Sequence, residues 1–357
     1  MKKIIKISVF SILFILAYSG EAFTAFQEIG ISARATGMGG AFVAVADDNH
    51  AILWNTAGLS QIEKLQVSAA IVCIPGLEKH TTGGLGYNFF SVTQPLGNFC
   101  TLGISWVNLG FSTYGFSPIY SENTFIFSFA RNLGGAGRYA YSKYFKSESI
   151  LDTLSVGFNL KLFKKSYDAE NEYLQTDSFF DEYVPKSFLT FDVGVFSEAI
   201  KDWPIGIFLK NIIQPDTSLD STDEVFDKVP MEIKLGISYK GEEDSLLAIE
   251  GSYLNRKSAN SFFDNIQLSA GAEFSSESKE ISYTKLLSGD GNIAITNTTS
   301  FRGGIQALPN LGISLGFGYK YSEEKYDLLF DISYQYVIGM ELLGPFGKIR
   351  LTCTLFI

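Results

Sequence analysis

Gly312-Ile313-Ser314-Leu315-Gly316 matches G-x-S-x-G, the arrangement that presents a serine nucleophile in many hydrolases. That chemistry needs the serine on a strained strand-to-helix turn, with a histidine base in reach. Here the pentapeptide sits inside a stretch of strict apolar/polar alternation, so Ser314 falls mid-strand on one face. His50 and His80 are the only histidines. Both fall in non-strand segments without an evident Asp or Ser partner. No catalytic residue is assigned, and the chain is read as a non-enzyme. Asp47-Asp48 could bind a cation or cap the turn that follows. No further oxygen-ligand pattern of the calcium-loop kind comes after them, which favours capping. Cys73, Cys100 and Cys353 show no metal-like spacing, and each falls in an expected strand. Buried or lipid-facing thiols are therefore read in place of a disulfide framework. Neither a metal nor a cofactor is called for.

The other chemistry-bearing residues are charges at alternate positions of apolar stretches: Asp192, Lys161, Lys210, Lys234, Glu232, Glu250, Glu273, Asp327, Asp331, Lys348 and Arg350. Charges of both signs on one face of a strand require that face to be wet or internally paired. They could line a conduction path, or pair with one another and with whatever fills the interior. Pairing is preferred, because a filled interior must satisfy its charges.

The elements that position these residues repeat with period 2. Leu311, Ile313, Leu315, Phe317, Tyr319 and Tyr321 alternate with Gly312, Ser314, Gly316, Gly318 and Lys320. Leu328, Phe330, Ile332, Tyr334 and Tyr336 follow after a polar turn, alternating with Asp327, Leu329, Asp331, Ser333 and Gln335. The last ten residues do the same: Ile349, Leu351, Cys353, Leu355 and Ile357 share one face, and Lys348, Arg350, Thr352 and Thr354 the other. Such a terminal strand can close a transmembrane barrel. The pattern predicts strands at 65–74, 83–93, 99–111, 123–131, 152–163, 187–197, 204–212, 230–240, 245–254, 265–274, 298–307, 311–321, 325–338 and 348–357. That makes about fourteen, and single-chain bacterial barrels have an even number. Short connections (94–98, 241–244, 322–324) read as periplasmic turns and long ones (164–186, 214–229, 338–347) as outside loops. The stretches 132–150 and 275–297 are long where short turns are expected, and 275–297 is read as an irregular or β-rich insertion.

The N-terminus sets the compartment. Lys2, Lys3 and Lys6 precede an apolar run from 7 to 17, and Gly20-Glu21-Ala22 follows as a cleavage site. Residues 1–22 are read as a secretory signal peptide, too short for a comfortable spanning helix. The run has no Cys at its end, which argues against a lipoprotein anchor. No later segment has the ~20 unbroken apolar residues of a membrane helix. Phe (31), Tyr (18) and Gly (34) are abundant and Pro (9) is scarce. Aromatics suit strands and interfacial girdles, and glycine suits a wall that something approaches closely. Phe111, Tyr114, Phe116 and Tyr120 form an aromatic stretch read either as a ligand entry surface or as girdle packing. The formal charge of −10 becomes about −12 without Lys2, Lys3, Lys6 and Glu21, and such acidity argues against nucleic acid as a partner.

Residues 23–62 differ from the rest. They are Gly- and Ala-rich, lack sustained alternation, and are too few to fold alone, so they should pack inside something. Gly30-x-Ser32-Ala33-Arg34-Ala35, then Gly37-Met38-Gly39-Gly40-Ala41-Phe42-Val43-Ala44-Val45-Ala46-Asp47-Asp48, then Trp54-Asn55-Thr56-Ala57-Gly58-Leu59 closely resembles the N-terminal region of FadL-like outer-membrane proteins, nearest the PorV/PorQ-like branch. Thr56 stands where that group usually has Pro, which removes a fixed φ and restores a backbone donor. Residues 154–164, Phe191-Asp192-Val193-Gly194-Val195 and Gly206-Ile207-Phe208-Leu209-Lys210-Asn211 resemble the middle of the same group.

The resemblance implies an all-β fold: a transmembrane antiparallel β-barrel over 63–357, with an N-terminal hatch (plug) over 23–62 inside its lumen. By position, Gly37, Gly39, Gly40, Asp47, Asp48, Asn55, Thr56, Ala57 and Gly58 would belong to the hatch or gate. The implied location is the outer membrane of a Gram-negative-type bacterium. The implied function is a channel for uptake of hydrophobic small molecules, long-chain fatty acid-like, gated by the hatch. Ligand would enter from outside and leave sideways into the outer-membrane lipid or inward. The alternative is a PorV-like scaffold or shuttle barrel whose partners are secretion-system proteins. An outer-membrane enzyme would have only Ser314 to support it.

Overall fold

The computed structural model describes Phe26 and residues 30–73, 85–97, 99–111, 120–134, 153–167, 186–217, 228–242, 244–256, 262–282, 293–307, 310–323, 325–338 and 347–357. The signal-peptide stretch 1–22, His80, Tyr114 and Phe116 lie outside the described residues.

Fourteen antiparallel strands form a closed barrel. They are β1 (Gln66–Cys73), β2 (Leu85–Pro95), β3 (Thr101–Phe111), β4 (Tyr120–Asn132), β5 (Leu154–Tyr167), β6 (Lys186–Ser197), β7 (Ile205–Lys210), β8 (Glu232–Lys240), β9 (Ser245–Leu254), β10 (Ile266–Ser282), β11 (Ile293–Ala307), β12 (Gly312–Ser322), β13 (Asp327–Val337) and β14 (Lys348–Phe356). Each strand pairs with its neighbours in sequence. β14 closes the ring by pairing with β1 from Gln66↔Phe356 to Cys73↔Ile349, while its other edge pairs with β13. Closure joins the first strand to the last, the condition for placing a sheet in lipid.

The period-2 pattern puts apolar side chains outside and polar ones inside. On β12 and β13, Leu315 lies across from Tyr334 and Phe317 from Ile332; these face outward, with Leu315 62% exposed. The alternate pairs, Gly316 with Ser333 and Gly318 with Asp331, face inward, where Ser333 and Asp331 are buried. Polar residues inside and apolar residues outside is the reverse of a water-soluble barrel and the arrangement that lipid requires. Replacing Leu315 or Ile332 with Arg is expected to destabilise the barrel by ~2–4 kcal/mol near the bilayer midplane. Urea titration in lipid vesicles would measure this. A neutral outcome at both positions would mean that this face does not meet lipid.

Several boundaries depart from the sequence pattern, among them that of β5, which runs past its expected end at 163 to Tyr167. β10 and β11 run to Ser282 and from Ile293, pairing as far as Ser282↔Ile293, so 275–282 and 293–297 form a protruding hairpin. They add length to two existing strands and leave the strand number even. Ser276, Glu277 and Ser278 are exposed. Where both faces of a strand are wet, no apolar alternation exists to be read. β7 ends at Lys210 because Asn211 adopts a left-handed φ of 52°, which asparagine tolerates better than most residues. The Asn211 N–H turns to Asp192 Oδ1 at 2.8 Å, and the ladder resumes with Ile212 N–H to Phe191 O at 3.0 Å.

Residues 30–62 lie against the inner wall as short pieces: α1 (Ala33–Gly37), α2 (Ala51–Trp54) and a 3-10 turn (Thr56–Gln61). Ile31, Met38, Phe42, Val45, Ile52, Leu53, Trp54 and Leu59 form one apolar cluster with Ala70 and Val72 on β1, Tyr87 and Phe89 on β2, Val107 on β3 and Ile126 and Ala130 on β4. Among the described residues, the larger apolar core therefore sits inside the barrel, between this segment and the wall formed by β1–β4, with Leu246 and Ala248 of β9. Among the described residues, no helix is long and apolar enough to cross a membrane.

Candidate functional site

The inner surface is built from ion pairs between neighbouring strands and from contacts with residues 30–62. Lys161 Nζ lies 2.8 Å from Asp192, Lys234 Nζ 3.0 Å from Glu250 and Arg302 Nη1 2.6 Å from Asp331. Lys210 and Lys234 both approach Glu232 at 3.5 Å. These charges are satisfied in pairs, as a filled interior demands. Arg302 was not among the charges singled out from the sequence. The outward face of Phe301, one residue before it, is the signal that places Arg302 inside.

Arg34 in α1 is the most connected residue of the segment. Its Nε and Nη2 donate to the two oxygens of Glu273 on β10, both at 2.9 Å. It also pairs with Asp47, and with Asp48 at 3.4 Å. Glu273 in turn accepts from Arg302 Nε, so the chain of charges runs Asp47–Arg34–Glu273–Arg302–Asp331 from the segment into the wall. Bidentate Arg–carboxylate pairing gives both energy and a fixed orientation. Asp48 has two jobs. Its Oδ1 accepts the His50 N–H at 2.9 Å, at the start of α2, and it faces Arg34. Burial alone would favour its neutral form. Its hydrogen bonds with His50 and the charge of Arg34 outweigh this and hold the carboxyl well below the usual carboxylate range. With a depressed folded-state value, its stabilisation is complete above about pH 4 and is lost only as the pH falls into strong acid.

The other residues singled out from the sequence fall in two groups. Asn55 Nδ2 donates to Val43 O at 2.9 Å and to Val195 O on β6 at 3.0 Å, while its Oδ1 accepts the Ala57 N–H at 3.2 Å. Thr56 and Ala57 press against Gly157 on β5, where an added Cβ would lie 2.2 Å from Ala57 N. Gly58 packs within the segment, against Ala46 O. Gly37, Gly39 and Gly40 lie against β10, β11 and β12. Gly39 has φ 69°, and its backbone lies where a Cβ on Gly304 of β11 would stand 2.1 Å from its nitrogen. Glycine is needed on both sides of that contact.

Two further bonds fix the middle of the segment. Glu250 Oε2 on β9 accepts the backbone N–H of Phe42 at 2.9 Å and of Val43 at 2.8 Å. Ser238 Oγ on β8 donates to Ala44 O at 2.9 Å. At the other end, Thr36 Oγ1 meets Ser333 Oγ at 2.9 Å, Ala33 N–H donates to Thr352 Oγ1 at 3.1 Å and Arg350 Nε donates to Gly30 O at 2.5 Å.

A cavity of about 150 Å³ sits on this segment. Its floor includes Ile31, Gly39, Gly40 and Trp54, and its walls come from the loop-proximal ends of the strands, among them Tyr87, Lys210, Glu232 and Lys348. Trp54 packs edge-on to Phe42, and Lys234 Nζ lies 4.5 Å from its ring centroid. The cavity thus combines an aromatic floor with a charged rim. Trp54 belongs to the resemblance motif but was not singled out for this role. Its exposure to the lumen depends on the fold of the whole segment. Ser314 lies within β12, without the strand-to-helix turn that a nucleophile requires.

The fold has known counterparts. The CymD monoaromatic hydrocarbon channel matches with a TM-score of 0.51 at 14% identity, over 93% of this chain and 98% of that one. The two chains share a barrel fold. The Ralstonia pickettii toluene transporter TbuX aligns with a TM-score of 0.49 at 11% identity, over 93% and 99% of the two chains. The Pseudomonas putida toluene transporter TodX does so with 0.49 at 12%, over 94% and 99%. No protein family and no curated protein matches this chain by sequence.

Proposed function

We propose that this protein is an outer-membrane channel for uptake of hydrophobic small molecules, with residues 30–62 acting as its hatch. The observation that carries the reading is the cavity seated on a segment that fills the lumen. A solute held there is in the barrel but cannot pass until the segment yields. The FadL-like fold, shared with a hydrocarbon channel, supports the same reading. No covalent chemistry is involved. The cavity volume is comparable with the ~150 Å³ apolar cavities that hold one benzene-sized ring, and below the ~300 Å³ of typical ligand pockets. A single ring or a short chain fits this space, whereas a long-chain fatty acid would extend out of it.

Uptake by proteoliposomes tests the proposal, with a radiolabelled monoaromatic hydrocarbon and a labelled long-chain fatty acid as probes. Entry of either above the rate of protein-free vesicles is the expected result. Rates equal to protein-free vesicles for both would overturn the channel reading. They would favour the secretion-scaffold alternative, whose signature is co-purification with large secretion components.

A further inference from the structure

The segment inside the barrel is held unevenly. Its hydrogen bonds run to β1, β5, β6, β8, β9, β10, β13 and β14. At Phe89 on β2 and Gly103 on β3 its contacts are apolar. The His50 ring stacks on Phe89, centroids 5.1 Å apart, and Ile52 lies against Gly103, where an added Cβ would stand 3.1 Å from its Cδ1. Below Phe89, on the same inward face, the wall turns polar: Ser91 and Thr93 on β2 and Ser105 on β3 are all buried. Ser91 lies directly across from Ser105. Among the described residues, the hydroxyls of all three have no hydrogen-bond partner, and neither do His50 Nε2 and Asn49 Nδ2, which belong to the facing part of the segment. Asn49 is placed here by its other atoms: its N–H donates to Gln66 and its Oδ1 accepts from Ser68, the residue across from Ser91.

Two physical arguments converge on this side. Buried polar atoms are nearly always satisfied, so five orphans in one place mark a seam that takes up water or another hydrogen-bonding group. Separating the two sides also has unequal costs. Parting a buried hydrogen bond leaves both groups unsatisfied, and parting a buried ion pair costs more. Parting apolar surfaces costs little when an apolar solute takes the place of the lost contact, because hydrophobic contact is non-directional.

We propose that solute passes residues 30–62 on the β2–β3 side. Phe89 against His50 and Ile52 is the constriction, and the Ser91–Thr93–Ser105 wall is a hydrated stretch beneath it. The proposal rests on the channel reading above, which it deepens by assigning the route. Apolar solute wedges between Phe89 and Ile52 while the polar anchors on β8–β10 and β13–β14 stay in place. It then meets a hydroxyl-lined stretch where water is already admitted.

Two measurements on the full-length protein test this without using uptake. The first compares the ion conductance of Phe89→Ala with that of Phe208→Ala, an equally buried ring on β7. Truncating Phe89 is expected to raise conductance severalfold over the native protein, and truncating Phe208 to leave it unchanged. The second uses a background with Cys73, Cys100 and Cys353 replaced. A small cationic methanethiosulfonate is expected to modify Ser91→Cys about tenfold faster than Ser238→Cys, because thiol modification follows access to water. Both side chains are buried, and Ser238 is hydrogen-bonded to the segment. Ser91→Cys is a near-isosteric change, so this arm does not depend on the Phe89 variant folding. Equal conductances for the two Phe variants, or protection of Ser91→Cys to the level of Ser238→Cys, would overturn the route. Failure of uptake by the native protein would overturn the function and leave these two results readable.

Discussion

Deleting residues 27–60 is expected to leave an assembled barrel whose ion conductance is at least about tenfold that of the intact protein, since a wall of fourteen strands is wide enough to leave an aqueous lumen once emptied. The strands do not depend on the segment for their pairing. Each ladder runs between neighbouring strands, and β14 closes on β1 without it. The inward charges lose some partners but gain water, which suits them. The apolar inner faces of Tyr87, Phe89, Val107 and Ile126 become wet, so the deletion lowers stability as well as opening the pore. Planar-bilayer recording would give the conductance, and heat-modifiable gel mobility would report assembly. An unchanged conductance would show that this segment is not what closes the lumen, and preference would move to the scaffold reading.

Replacing Glu250 with Ala is expected to loosen the segment by about 3–5 kcal/mol, the range for removing one partner from a buried charge pair. Glu250 is almost wholly buried and serves three donors at once: the N–H groups of Phe42 and Val43, and Lys234 Nζ. Alanine leaves two backbone donors without their acceptor. Lys234 then retains Glu232, at 3.5 Å, as its counter-ion. Glu250→Gln keeps the shape and one acceptor oxygen, so its effect is expected to be clearly smaller. Urea titration of each variant in lipid vesicles would rank them, and conductance bursts would report undocking of the segment. Equal stability of all three proteins would mean that Glu250 does not anchor residues 42–43.

The strand arrangement was legible because of its physics. Each strand meets lipid on one side and a polar interior on the other, so Leu315 and Ser314 carry opposite chemistry in adjacent positions. That constraint repeats over eleven residues in β12 and β13, and even the closing strand shows it. Where it lapses, the reading lapsed too. The extension of β10 and β11 carries the exposed Ser276, Glu277 and Ser278 in succession, and 275–297 was read only as an irregular or β-rich insertion. β7 was read two residues too far at its C-terminal end because the left-handed turn at Asn211 leaves no mark on the apolar pattern.

The interior was only partly legible. The inward set containing Asp192, Glu250 and Asp331 follows from alternation alone, since the pleat decides which way a side chain points. Which inward charge meets which does not follow. Arg34 reaches Glu273 across 239 positions of sequence, and the Glu250 carboxylate caps two amides 207 and 208 positions away. Those contacts depend on how a Gly- and Ala-rich segment without periodicity threads a ring of fourteen strands. Such a segment has no local rule that sets its path. Its course is decided by where wall glycines such as Gly157 and Gly304 let backbone meet backbone, and where buried carboxylates wait for donors. The sequence by itself therefore determined the barrel, the facing of its strands and the presence of an unusual N-terminal segment. Only the tertiary structure decided that this segment is anchored by polar bonds to strands such as β9, β10 and β14 and meets Phe89 on β2 and Gly103 on β3 through apolar contacts, because those residues are brought together by barrel closure.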